Sequence, residues 1–366
     1  MPIGKEKTEV RLVVAGGGTG GHLFPGLAVA REISKKSEGA RILFVTGKRR
    51  MESEIIRLSG FEQISINVEG MKGRGWKGAL VLLKLPWSLF QCLGILKKFK
   101  PDLVFGVGGY SSGPVCLSAS ILRIPSAVHE QNSFPGVTNR LLSRVVDRVF
   151  ISFEGSREHF RGGSVYFTGN PIRNEFLVGK PGDPKSSRFT LLAVGGSQGA
   201  RAINDALVDA LFLLKERGRE VAVVHQTGHS DYERVCTRYR EKNLQGEVTP
   251  FILEMAEAYR RADLVVTRAG AGAIFELAAL GKPSILIPYP FAANHHQETN
   301  ARVLVEAGGA EMILQEALSG AALADSVAKL MENPGSLEGM GAAARKVAMP
   351  GATREIVNLL LDMIRP

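Results

Sequence analysis

Cysteine is scarce. Cys92, Cys116 and Cys236 are the three in 366 residues, and they lie far apart. An odd, scattered set excludes a disulfide framework and points to a reducing compartment. It also lacks the spacing of metal ligands. No secretory apolar region follows the polar N-terminus MPIGKEKTEV, where a strand-like run begins at once. No uncharged run suits a membrane span. The longest, Leu103 to Leu122, carries several Gly and Ser residues and a Pro, and reads as strand, loop and helix. Acidic residues are in deficit, 36 Asp and Glu against 46 Lys and Arg, for a net charge of +10. That excess suits an anionic partner: nucleic acid, an anionic membrane surface or a phosphorylated substrate.

What the chain has is apolar residues, 45% of the total, enough for two cores at this length. The runs RLVVAGG, RILFVTG, DLVFGVGG, SAVHEQN, DRVFIS, TLLAVGGS, VAVVHQTG, DLVVTRAG and PSILIPYP alternate with helical stretches. Continuous Val, Ile and Leu suit parallel strands covered on both faces. Their alternation with helices implies a doubly wound sheet. LVVAGGGTGG at 12–21 is echoed by LLAVGGSQGA at 191–200, each a strand, a glycine turn and a helix start. GKPGDPKSSR at 179–188 reads as a linker or loop before the second. The expectation is α/β, two Rossmann-like doubly wound parallel-sheet domains facing across a cleft. Their bounds are 1–170 and 171–350, with a helix at 351–366 packing back on the first.

Glycine turns let backbone N–H groups approach a ligand, and a following helix N-terminus favours negative charge. Gly16, Gly18 and Gly21 match the G-x-G-x-x-G spacing of a dinucleotide site. A nicotinamide site also needs an acid at the end of the second strand, and RILFVTGKRR has none. That leaves an NADP-linked oxidoreductase, using Arg49 or Arg50, as the alternative. The second half says more. In TRAGAGAIFELAALGKPSILIPYP, 267–290, Glu276 stands one turn into a helix behind a glycine turn. Its carboxylate can accept both hydroxyls of a ribose, or can simply stabilise the helix N-terminus. His295 and His296 lack further ligands at suitable spacing, and the chain has no Asp-x-Asp pair. A diphosphate site without metal or cofactor is therefore expected.

GGGTGGHLFPG, GVGGYSSGP, HEQNSFPGVTNR, GNPIR, GGSQGARAIN, RAGAGAIFE and NHHQETNA occur in one order along the chain. In that order and spacing, the chain resembles the peripheral N-acetylglucosaminyltransferases of peptidoglycan synthesis, from about residue 11 to the C-terminal helix. The resemblance implies the GT-B fold. It also implies inverting transfer from UDP-N-acetylglucosamine to lipid I, giving lipid II, at the cytoplasmic face of the cell inner membrane. Cell-wall biogenesis, cell shape and cell division depend on that product. Other cell-wall synthesis proteins are then the expected partners, and nucleic acid is not.

Carried over residue by residue, the resemblance puts Ser197 and Arg173 at the diphosphate or sugar and the Ile252 backbone at uracil. Glu276 would hold the ribose, with N–H groups of Gly270, Ala271, Gly272, Ile274 and Phe275 around the diphosphate. Gln297 would reach the sugar hydroxyls, with His296 and Asn300 nearby. Thr19, Gly20 and Gly21 would close over the sugar, joined by Asn132; Tyr110, Gln198 and Gly199 are further candidates. His22 would meet the acceptor hydroxyl as general base, a task suited to its pKa range. Ala273 stands where relatives often have Thr or Ser.

GMKGRGWKGALVLLKLPWSLFQCLGILKKFK, 70–100, reads as a helix with one narrow polar stripe of Lys77, Lys84, Ser88, Gln91 and Lys98. Elsewhere it is apolar, including Leu82, Leu83, Leu85, Trp87, Leu89 and Phe90, and Lys72, Arg74, Lys97 and Lys100 flank it. Such a surface suits anionic headgroups.

Overall fold

The apolar runs pair side by side into two wholly parallel sheets. The structure, a computed structural model, describes residues 9–17, 20–68, 77–177, 188–196 and 199–364. The chain divides into two units, Met1–Arg173 with Pro350–Pro366, and Asn174–Met349.

The first unit holds β1 (Arg11–Ala15), β2 (Arg41–Thr46), β3 (Glu62–Ser65), β4 (Leu103–Gly106), β5 (Ser126–Glu130), β6 (Arg148–Ile151) and β7 (Ser164–Phe167). Their order in the sheet is β3-β2-β1-β4-β5-β6-β7. Its helices are α1 (Gly20–Lys36), α2 (Arg50–Leu58), α3 (Lys77–Phe99), α4 (Ser112–Ile121) and α5 (Val137–Leu142). The second unit holds β8 (Thr190–Val194), β9 (Ala222–Gln226), β10 (Glu247–Thr249), β11 (Leu264–Thr267), β12 (Ser284–Leu286) and β13 (Ala310–Met312). They are ordered β10-β9-β8-β11-β12-β13. Its helices are α6 (Arg201–Glu216), α7 (Tyr232–Glu241), α8 (Met255–Arg261), α9 (Ala271–Leu280), α10 (His296–Glu306), α11 (Gly320–Met331) and α12 (Pro334–Val347). The last helix, α13 (Ala352–Asp362), belongs to the first unit.

Strand order reverses between β1 and β4, and again between β8 and β11. At such switch points the flanking connections diverge to opposite faces and open a crevice beyond the carboxyl ends. The register sets the crevice floors. Ala15 pairs with both Val45 and Gly106, and Val194 with both Gln226 and Thr267.

Period two in β1 splits the first core. Leu12 and Val14 pack with Leu27, Ile33, Phe44 and Phe105 on one face, Val13 and Ala15 with Leu43, Val45, Cys92 and Cys116 on the other. Burial pushes the Cys92 and Cys116 thiols up to about 12, so they behave as small apolar side chains. Ile356, Val357 and Leu360 of α13 join the first face beside α1, and the Arg148 guanidinium donates to Leu359 O. The second core gathers Leu191, Ala193, Ile203, Leu207, Val266 and Ile285.

The helix predicted over 70–100 forms as α3 from Lys77, and within its polar stripe Ser88 and Gln91 turn inward while Lys98 stays exposed. Ser88 is buried and donates to Asn67 O at 2.7 Å, while Gln91 Oε1 accepts the Asn67 N–H at 3.3 Å. These side chains satisfy the loop after β3 beside buried Cys92 and Leu96. The large apolar groups point out instead, Trp87 60% exposed and Phe90 72%. Residues 70–76 of that stretch, with Lys72 and Arg74, and the side chains of Lys77, Leu82, Leu83, Lys84 and Leu85 lie outside the described residues.

Candidate functional site

In the first unit two glycine turns lock together over the switch point. Gly16 N–H donates to Val45 O at 3.2 Å and Val107 N–H to Ala15 O at 2.8 Å. Gly109 adopts φ +81°, and a Cβ there would lie 2.1 Å from Gly17 O. Only glycine fits so close an approach in that conformation. α1 then opens on Gly20, Gly21 and a half-buried His22. Thr19, like Ser197 and Gln198 in the second unit, lies outside the described residues.

His22 is held from β5. Its Nδ1 is 2.8 Å from Gln131 Oε1. Buried Gln131 places Nε2 2.9 Å from Val107 O and 3.0 Å from His129 Nδ1. His129 is wholly buried, with Nε2 3.2 Å from both Gly169 O and the Ser152 hydroxyl. Burial lowers its pKa to about 4, so the ring is neutral. Glu130 is buried too. Its carboxylate accepts the Asn132 N–H at 3.0 Å, the Asn132 Nδ2 at 3.2 Å, the Gly136 N–H at 3.0 Å and Asn139 Nδ2 at 2.9 Å. The motif HEQN thus works inward as well as outward, and Asn132 is placed by Glu130. Arg173 stacks its guanidinium 4.9 Å over the Phe24 ring, which brings it to the start of α1. Tyr110, half-exposed, follows Gly109. The first unit therefore gathers Gly20, Gly21, His22, Asn132 and Arg173 around one helix N-terminus and the end of β5.

In the second unit the turn after β8 abuts the end of β9. Gly199, at φ +74°, sits where a Cβ would be 2.5 Å from Thr227 O. Beyond β11, Gly270 caps α9 without a side-chain hydrogen bond, and the first turn has no acid. The amides of Ala271, Gly272 and Ala273 therefore have no acceptor inside the helix, and the dipole favours an anion there. Ile274 differs, since its N–H donates to Gly270 O at 3.1 Å. Ile274 and Phe275 bury their side chains in the core. Of the expected amides of Gly270, Ala271, Gly272, Ile274 and Phe275, that of Ile274 is thus corrected to a bond within the helix, and Ala273, not among them, offers a free N–H at the helix start. Glu276 is half-buried in the second turn.

Around α9, Arg268 donates to Ile287 O at 3.1 Å, Pro288 O at 3.2 Å and Gln315 Oε1 at 2.7 Å, tying the loops beyond β11 and β12. Gln297 Oε1 accepts the Tyr289 N–H at 2.9 Å, which turns the amide nitrogen away from that loop. His296 Nδ1 donates to Ala293 O at 2.8 Å. Asn300 is fully buried and donates to Ala269 O at 3.2 Å, so it shapes the approach to α9. Ile252 is half-buried between exposed Phe251 and Leu253. Gln131, Glu130 and Arg268 were not among the sequence candidates. Their signal was present, polar side chains ending apolar strands, but an inward role is invisible without partners.

Residues 12–151 match the glycosyltransferase family 28 N-terminal domain, and residues 190–356 the glycosyltransferase family 28 C-terminal domain. A Syntrophus aciditrophicus protein is 46% identical over 97% of this chain and 99% of its own length. It is named UDP-N-acetylglucosamine–N-acetylmuramyl-(pentapeptide) pyrophosphoryl-undecaprenol N-acetylglucosamine transferase. An Anaeromyxobacter protein of that name is 44% identical over 97% of this chain and 94% of its own. The crystal structure of Acinetobacter baumannii MurG, 31% identical, superposes with a TM-score of 0.77 over 97% of this chain and 99% of that one.

Proposed function

The chain belongs to glycosyltransferase family 28, and from that membership we infer that it moves N-acetylglucosamine from UDP-N-acetylglucosamine to undecaprenyl-diphosphate-linked N-acetylmuramyl-pentapeptide (lipid I), giving lipid II. Its fold is GT-B, with two Rossmann-like parallel-sheet units. The observation that carries the activity is similarity from end to end to relatives named for that one reaction. The NADP-linked alternative finds no support.

In this reading the second unit holds the donor. Amides of Ala271, Gly272 and Ala273 and the turn at 195–199, with Ser197, take the diphosphate. Glu276 takes the ribose, the Ile252 backbone the uracil, and Gln297 the sugar hydroxyls. Thr19, Gly20, Gly21, Asn132 and Arg173 of the first unit serve the sugar and diphosphate. An α-linked donor and a β-linked product require inversion, hence a single in-line displacement. The muramyl 4-hydroxyl gives its proton to His22 Nε2. Its oxygen bonds the anomeric carbon as the bond to UDP breaks, and the charge left on UDP falls to helix N-termini.

In this reading the acceptor's polyprenyl tail keeps the reaction at a membrane surface, which the family resemblance implies is the cytoplasmic face of the inner membrane. Exposed Trp87 and Phe90, with Lys97 and Lys98 in the last turn of α3, support a peripheral contact with anionic lipid. Among the described residues no helix is long and apolar enough to cross a membrane. Calorimetric titration tests the donor assignment. UDP and UDP-N-acetylglucosamine should bind and NADPH should not; the reverse pattern contradicts it.

A further inference from the structure

We propose that Gln131 is the positioning residue for the base. Its side-chain amide holds the His22 ring with the proton on Nδ1 and the Nε2 lone pair presented to the acceptor hydroxyl. The proposal rests on the reading of His22 as the base.

Two backbone carbonyls set the polarity of the chain of contacts, and the Ser152 hydroxyl beside His129 Nε2 can accept from it as well. Val107 O can only accept, and it lies 2.9 Å from one end of the Gln131 amide, so that end is the nitrogen. The other end, 2.8 Å from His22 Nδ1, is then the oxygen. A carbonyl oxygen accepts, so Nδ1 must donate and must carry the ring proton. In a neutral imidazole Nε2 is then the acceptor. The next link obeys the same rule. Gly169 O lies 3.2 Å from His129 Nε2, so that nitrogen carries the His129 proton. His129 Nδ1 then accepts from Gln131 Nε2 at 3.0 Å. The His129 carbonyl, 3.2 Å from Gln131 Nε2, is a further acceptor beside Val107 O and His129 Nδ1, so the nitrogen end faces acceptors alone and the amide cannot turn over.

The support is built into the sheet. Val107 follows β4, His129 lies on β5 and Gly169 follows β7. His129 stays neutral in its buried site, where burial lowers its pKa to about 4. A protonated His129 would aim a donor at the Gln131 nitrogen and undo the arrangement. Gly108, at φ +89°, admits the ring, since a Cβ there would lie 2.9 Å from His22 Nδ1. Because Gln131 is uncharged, it orients the base without pairing a carboxylate to it. The whole chain of contacts lies in the first unit.

The test is a long-range proton–nitrogen NMR correlation on the full chain labelled with ¹⁵N-histidine, with His22 assigned by its loss in His22→Gln. In the parent, neutral His22 should show the Nδ1-protonated pattern. Gln131→Met removes both the acceptor and the donors at similar volume. It should let His22 drift toward the Nε2-protonated form and lower kcat, by no more than the roughly 10²–10⁴-fold that a general base supplies. KM for UDP-N-acetylglucosamine should stay within about twofold, because the proposed donor contacts lie mainly in the second unit and Asn132 of the first is held by Glu130 rather than Gln131. An Nε2-protonated His22 in the parent overturns the proposal, and that result needs no variant to fold. So does Gln131→Met with the parent's His22 pattern and turnover. In both cases a slow His22→Ala would leave the base reading standing. Normal turnover in His22→Ala would remove that reading, and the positioning role with it.

Discussion

At the scale of the residue, the proposed donor contact most open to test is Glu276, a half-buried carboxylate behind the three amides that open α9. Glu276→Ala should raise the donor KM steeply. Two hydrogen bonds to a charged acceptor contribute about 1.5–3 kcal/mol each. Unchanged donor affinity by calorimetry in a folded variant would remove Glu276 from the ribose. His22→Ala should lower turnover by roughly 10²–10⁴, the usual worth of a general base, with UDP affinity unchanged. Steady-state kinetics beside UDP calorimetry separates the two effects. What was legible in the sequence is the placement, glycine turns after β1, β8 and β11 with His22 and Glu276 in the helices that follow. The inward-facing half was not. Gln131, Glu130 and Asn300 are polar residues in recognisable motifs, yet they spend hydrogen bonds on backbone groups and, for Gln131 and Glu130, on neighbouring side chains. Residue type and spacing cannot tell a side chain that meets a ligand from one that holds the backbone meeting it.

At the scale of the element, nine strands were readable as continuous apolar runs, since the central strands of a parallel sheet are covered on both faces. The other four, β3, β7, β10 and β13, are three or four residues each and largely half-buried or exposed. EQIS, EVT and AEM carry no apolar run, and it is pairing with a formed neighbour that makes them strands. In α3 the length and the exposed apolar groups Trp87 and Phe90 were legible, and the inward use of Ser88 and Gln91, which bond the Asn67 backbone, was not. That exposed face yields a prediction. Trp87→Ser with Phe90→Ser, or Lys97→Glu with Lys98→Glu, should weaken flotation with anionic vesicles and lower activity on a long-chain acceptor. Activity on a soluble short-chain analogue should persist. Added salt should weaken the parent's vesicle binding, as charge attraction requires. Variants that float as the parent does would move the membrane contact elsewhere.

At the scale of the whole molecule, each unit buries one neutral histidine against its sheet, His129 on β5 and His225 on β9. Burial lowers both to about 4, from an ordinary 6.5. His225 lies 3.0 Å from Asn204 Oδ1 and 3.1 Å from the Tyr239 hydroxyl. Between pH 6.5 and 4 the unfolded chain takes up protons that the folded chain refuses. Stability should therefore fall as pH falls through that window, by about 1.4 kcal/mol per unit for each histidine, with neither contributing above it. Thermal melts from pH 7.5 to 4.5 should show the decline, and replacing either histidine with Gln should flatten it; equal slopes would assign the acid sensitivity to other groups. The reaction itself is tested most directly by incubating the chain with UDP-[¹⁴C]N-acetylglucosamine and lipid I in EDTA. The absence of an Asp-x-Asp pair and the amides at the start of α9 predict that label passes to the lipid without a divalent cation, in a β-linked disaccharide, with UDP released in equal amount. Label that never reaches the lipid with or without added magnesium or manganese would contradict the transferase assignment, and transfer only with the metal would contradict the cation-free diphosphate site.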